Sequence, residues 1–180
     1  LDTSRSINVK ESLPPVNVTF NSTDTVCKND SVILLQGGTP AGGYYTGSGV
    51  RENIFYPQLA SVGNNEVRYV VNTGGCADSS ASVIYVNALP QPSISGNFQP
   101  CEYANGLTYF TPQVTGNSYL WQTNGGTIMS GQGTNIVTVN WDSSGVGSIT
   151  VIESNLNGCD SVQTKTVFIA GQQFSGAILG

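Results

Sequence analysis

Four cysteines, at positions 27, 76, 101 and 159, mark out two copies of one frame along this chain of 180 residues. Cys27 in DTVCKNDSVILL and Cys101 in FQPCEYANGLTYF each stand a few residues ahead of an apolar run. Cys76 in NTGGCADSSASVIYV and Cys159 in NLNGCDSVQTKTVFI each follow a Gly-containing turn and open a Ser/Thr-rich alternating run. Four cysteines allow three pairings, and spacing alone does not choose among them. The duplicated frame does choose: Cys27 is expected with Cys76, and Cys101 with Cys159, each bond inside its own repeat. Closing a loop of about 50 to 60 residues stabilises a domain by roughly 4 kcal/mol in the chain-entropy model, a large share of the total for a domain so small. Zinc ligation wants close Cys-x-x-Cys pairs or histidines, and this sequence has no histidine at all. Disulfides imply an oxidising compartment.

A partial third copy opens the chain. LDTSRSINVKESLPP repeats the layout of ADSSASVIYVNALPQP: an acid, a Ser-rich alternation, then prolines. Residues 1–12 are therefore expected to be the last strand of a preceding repeat plus a linker. Between the cysteines, VNVTF, SVILL, NEVRYVV, ASVIYV, LTYFTP, SYLWQT, NIVTVNW, GSITVIES and TKTVFI are short, β-branched or aromatic, and mostly alternating. Gly, Asn, Asp and Pro punctuate them in GGTPAGG, SVGNN, NGG and SSGVG. Short strands at this spacing predict an all-β fold of two tandem immunoglobulin-like β-sandwiches, each with one intradomain disulfide. The expected limits are 13–89 for the first and 90–170 for the second, with 171–180 a tail or the start of another unit. The prolines of ESLPPVN and NALPQPS stiffen the junctions and block strand pairing across them.

Composition narrows the function. Charged residues make up 9% of the chain, against roughly 25% in an average soluble protein. No apolar run approaches the roughly 20 residues of a membrane span, so Ser, Thr, Asn, Gln and Gly supply the polar surface. The six Lys and Arg are scattered in a chain of net charge −5. Nucleic acid and anionic membranes, which demand clustered cations, are therefore not expected partners. No basic start followed by an apolar stretch opens the sequence, so on the secreted reading an internal or processed piece is expected.

The motifs in order resemble a known group. CKNDSVILLQGGTPAGGYYTGSGV, IFYPQLASVG, NEVRYVV and GGCADSSASVIYV look like the Ig-like repeats of large Bacteroidetes surface and secreted proteins, of the gliding and type IX secretion kind. ISGNFQPCEYANGLTYF, SYLWQTNGGTIMSGQGTNIVTVNW and GVGSITVIESNLNGCDS are similar to the PKD-like domains of the same proteins. The resemblance covers about residues 13 to 170. It implies placement on the cell surface or outside it, a spacer, adhesive or filament-forming role, and no catalytic residues. It also makes Asp-Ser/Thr steps followed by Val candidate O-glycosylation acceptors: Thr25, Ser31 and Ser161. Turn chemistry is the plainer account of the same steps.

Without histidine, no Ser-His-Asp, Cys-His or His-metal site can form. The acids lie mostly in turns or at strand starts, and no cofactor is expected. Glu102, Asp142, Glu153 and Asp160 are weak calcium candidates, since calcium wants six to eight oxygens and no dense acidic loop occurs. Trp121 is expected between the sheets. Trp141 ends a strand in phase with Val137 and Val139, as a core residue or as a sugar-stacking platform. Tyr44 and Tyr45 are adjacent, so in extended chain one of them faces outward; Tyr44, Tyr45 and Trp141 are the candidate glycan or partner contacts. The function expected is a non-catalytic extracellular spacer or adhesive stalk segment, partnered by neighbouring repeats, other copies or polysaccharide. A carbohydrate-binding accessory module of a secreted hydrolase is the alternative.

Overall fold

The computed structural model describes residues 25–73 and 76–171. All regular structure among them is β, and the chain divides into two compact units between Asn87 and Ala88. VNVTF, the strand expected at residues 1–12 and the tail beyond 171 lie outside the described residues.

In the first unit β1 (Thr25–Cys27), β7 (Cys76–Asn87), β6 (Gly63–Thr73) and β3 (Tyr44–Gly47) form one sheet in that order, with β1 parallel to β7. β2 (Ile33–Leu34), β5 (Ile54–Phe55) and β4 (Val50–Arg51) form a second. Alternation drives the assembly: Asn65, Val67, Tyr69 and Val71 of β6 point inward, and Ile84 and Val86 of β7 join them. The apolar ones among them close on Phe55, Leu35 and Tyr45 in one cluster. The β4–β5 turn has positive φ at both central residues, Glu52 and Asn53, the twist that suits a two-residue hairpin. The Asn53 side chain then accepts the Tyr45 backbone N–H at 3.0 Å. Residues 37–43 fold over the tyrosines. Gly43 N–H donates to the Tyr69 hydroxyl (2.8 Å), which itself donates to the Pro40 carbonyl (2.8 Å). Gly38 N–H donates to the Tyr45 hydroxyl (2.7 Å). The glycines are needed for closeness, since a Cβ on Gly43 would stand 2.4 Å from the Val70 carbonyl oxygen.

In the second unit β8 (Leu107–Phe110), β9 (Ser118–Asn124), β10 (Gly126–Ser130), β11 (Ile136–Trp141), β12 (Gly145–Ser154) and β13 (Asp160–Ile169) make two three-stranded sheets, ordered β10-β11-β8 and β13-β12-β9. Both close on one cluster that includes Tyr109, Trp121, Val137, Val139, Trp141, Ile149, Val151 and Val167. Trp121 is buried there as expected, and its indole N–H donates to the Thr134 carbonyl at 2.8 Å. The Gln132 side chain acts as a substitute strand, accepting the Trp121 N–H and donating to its carbonyl, both at 2.8 Å. Pairing an edge in this way leaves fewer backbone groups open to another chain. Glu153 is buried and accepts from the Asn117 amide at 2.6 Å, so its carboxyl group is not left without a donor.

The expected disulfide pairing does not fit this register. Cys27 sits beside Asn87, at the far end of β7 from Cys76. At a strand rise of about 3.3 Å that is roughly 36 Å, whereas a disulfide holds its Cα atoms within about 7 Å. Cys101 likewise bridges Ala170, just past the end of β13, while Cys159 immediately precedes its first residue, Asp160. Cys101 is a free, exposed cysteine, and Cys27 and Cys159 are disulfide-bonded. One intradomain bond per unit is therefore overturned. The repeated frame itself is real in the fold: the first cysteine of each copy lies parallel to the end of the last strand, and the second opens that strand.

Candidate functional site

Strand parity sorts the aromatic candidates. Tyr45 lies inside the first unit, its ring 4.9 Å from that of Tyr69. Burial pushes its phenol above the ordinary 10.0, the Gly38 N–H works against this, and Tyr69 adds to it. Trp141 is 2% exposed. Its indole N–H donates to the Tyr109 hydroxyl at 2.9 Å, the two rings meeting edge-on at 5.9 Å and 82°. The Tyr109 hydroxyl donates in turn to the Asn97 carbonyl. Burial holds the Tyr109 phenol above its ordinary range, and the Trp141 donor partly offsets that. Gly126 and Gly147 leave room for the indole: a Cβ would stand 2.7 Å and 3.0 Å from its ring atoms. Neither Tyr45 nor Trp141 can contact a glycan, which corrects the expectation for both; Tyr44 remains, 49% exposed.

Tyr44 belongs to the solvent face of the β3-β6-β7 sheet. It lies opposite Val70, which lies opposite Ser79. Thr46, Arg68 and Ala81 form another row of that face; Glu66 pairs with Val83, and Asn64 with Tyr85. The pairing runs without a bulge, so Tyr44 and Tyr85 share this face, and Tyr85 is 43% exposed. Between the rings, Arg68 Nε donates to Glu66 Oε1 at 2.7 Å in an ion pair. Sequence reasoning passed over Tyr85 because Val83-Ile84-Tyr85-Val86 is apolar at every position and shows no phase.

The solvent face of β9-β12-β13 has another character. Leu120, Ile152 and Val162 form one apolar row across it, and Thr150 and Thr164 share a hydroxyl hydrogen bond of 2.9 Å.

The calcium candidates are not brought together. Glu102 accepts the Ser144 N–H near Asp142, at one end of the β12–β13 ladder; Glu153 and Asp160 are at the other. No group of three or more potential metal ligands occurs among the described residues. Of the candidate glycosylation sites, Thr25 and Ser31 are exposed and Ser161 is half-buried within β13. No helix among the described residues is long and apolar enough to cross a membrane.

Comparison with known proteins finds the PKD-like domain family matching residues 87–167, somewhat less than half of the chain. No curated protein matches. Among solved structures, a protocadherin gammaB7 EC3-6 cis-dimer is similar at 14% identity and a TM-score of 0.32, over 84% of this chain and 46% of that one. SGBP-B of the Bacteroides ovatus mixed-linkage glucan utilization locus, in complex with a mixed-linkage heptasaccharide, is similar at 12% identity and a TM-score of 0.29. That match covers 88% of this chain and 48% of the other. The chain thus spans about half the length of the structures it matches.

Proposed function

We propose that this chain is a non-catalytic extracellular structural and interaction module, a spacer or adhesive stalk segment of a large bacterial surface protein. The observation that carries the reading is the PKD-like match over the second unit, since PKD-like domains are in general non-catalytic modules. The fold supports it: each unit closes its own core, so units of this kind can follow one another along a chain. Surfaces rich in hydroxyls and amides, with 9% charged residues, suit the outside of a cell. Under this reading residues 13–89 and 90–170 are two immunoglobulin-like repeats. A Bacteroidetes protein of the gliding or type IX-secreted kind is the expected parent, with neighbouring repeats or other copies as partners.

The test is surface exposure in the native producer. Antibody to the purified chain should label intact cells or culture medium, and protease added to intact cells should remove the cell-bound signal. Antigen reached only after lysis would refute the reading. The alternative, an accessory module of a secreted hydrolase, draws support from Tyr44 and Tyr85 and predicts a catalytic domain in the same polypeptide.

A further inference from the structure

We propose that the solvent face of the β3-β6-β7 sheet, with Tyr44 and Tyr85 at its two ends, binds an uncharged polysaccharide. A spacer needs no ligand, so this goes beyond the reading above. Six residue steps along β6, from Val70 to Asn64, lead from the Tyr44 row to the Tyr85 row, and one strand lies between β3 and β7. At about 3.3 Å per residue and 4.8 Å per strand the rings are roughly 22 Å apart, a span of several sugar rings.

The pattern between the rings selects the class of occupant. A protein partner wants a contiguous apolar centre with polar groups at the rim. Here no contiguous apolar centre forms: the rings are at the ends, and between their rows Arg68, Glu66 and Thr46 lie among Ala81 and the exposed Val83, with Asn64 beside Tyr85. A saccharide chain is built to match, with C–H faces to lie on the rings and hydroxyls to meet the guanidinium, carboxylate and amide. Charge points the same way. The chain carries −5 overall, yet among the described residues of this face Arg68 and Glu66 cancel each other in an ion pair. The face thus matches a neutral polymer and offers no net attraction to an acidic or a basic one. Its geometry is preformed, because Tyr44 and Tyr85 are on paired strands and each tyrosine has few torsions to fix.

Affinity electrophoresis of the purified chain through gels containing mixed-linkage β-glucan, xyloglucan, galactomannan or dextran tests this, with alginate and heparin as charged comparators. At least one neutral polymer should retard the chain, and the comparators should not. Tyr44→Ala and Tyr85→Ala should each weaken retardation by about tenfold, and the double variant should abolish it. Tyr44→Thr with Tyr85→Thr, which keeps strand propensity, should do the same at an unchanged melting temperature. Phe168→Ala, on an exposed strand position of the other unit, should leave retardation intact. The proposal is overturned by no retardation in any neutral polymer, by retardation that survives the double variants, or by equal retardation in alginate. Self-association in sedimentation that the same variants remove would also overturn it, assigning the face to a second copy.

Discussion

Replacing Trp141 by Phe tests the assignment of this side chain to the core of the second unit. The change removes the indole N–H that donates to the Tyr109 hydroxyl at 2.9 Å, a net loss of about 1 kcal/mol for a buried neutral pair. It also empties part of the space framed by Gly126 and Gly147, whose Cα–H faces lie against the indole. Losing one to two buried methylene equivalents costs about 1–2 kcal/mol more. The expected destabilisation is about 2–3 kcal/mol, which lowers the melting temperature of a unit this size by roughly 10–20 °C. Trp121, in the same core, is the fluorescent reporter for denaturant titration. A cycle with Tyr109→Phe isolates the hydrogen bond, and the two changes should be coupled by about 1 kcal/mol. Tyr109→Phe alone should cost more than that, because the Asn97 carbonyl also loses its donor. A loss below about 0.5 kcal/mol for Trp141→Phe, in the range of ordinary surface substitutions, would refute the burial argument. Strict additivity would refute the hydrogen bond.

Gly43→Ala should destabilise the first unit by about 1–3 kcal/mol, the usual cost of overpacking, because the new methyl meets the Val70 carbonyl at 2.4 Å and the Tyr69 ring at 2.5 Å; an unchanged thermal midpoint would contradict it. Tyr109 has a phenol raised above 10.0 in the fold by burial, so the unfolded chain releases that proton first. Stability from this group is therefore fully present below about pH 10 and is lost as pH rises through the folded value. Trp141→Phe, by removing a donor to the phenolate, should move the titration higher still; absorbance at phenolate wavelengths follows it, and a downward shift would reverse the assigned sign. Peptide mapping of unreduced chain should find Cys27 and Cys159 in disulfide-linked peptides and Cys101 alkylated. A Cys101–Cys159 linked peptide would refute the register.

Long strands were legible because their period repeats often enough to be read. β12 alternates over Gly147, Ile149, Val151 and Glu153 against Ser148, Thr150, Ile152 and Ser154, and GSITVIES carries that phase openly. The pairs Ile33–Leu34, Val50–Arg51 and Ile54–Phe55 are too short to show any period, and only the β4–β5 turn fixes where two of them lie. The glycines were legible as turns but not as neighbours of rings: Gly126 and Gly147 come from two different sheets and meet at one indole. The cysteines mislead for a related reason. A repeated frame marks equivalent places in two units, and equivalence says nothing of proximity. Only the parallel placement of Cys27 beside Asn87, and of Cys101 beside Ala170, shows that the two positions within each copy are a strand's length apart.

The candidate face shows where sequence reading stops in this chain. That Tyr44 and Tyr45 take opposite sides follows from the strand period alone, but which is outside depends on what covers the other. The Tyr45 hydroxyl is taken by Gly38 N–H and its backbone N–H by Asn53, from two separate loops; those closures turn Tyr45 inward and leave Tyr44 outward. The partner ring is about 40 residues away in sequence. It reaches the same face because β6 and β7 pair without a bulge from Gly63 to Val86 and from Thr73 to Cys76. A single inserted residue in either strand would put Tyr85 inside and Ile84 outside, exchanging a hydroxylated ring for the core's own side chain. The register that buries Ile84 and Val86 is thus the same one that exposes Tyr85, so core packing itself holds the distance between the two rings.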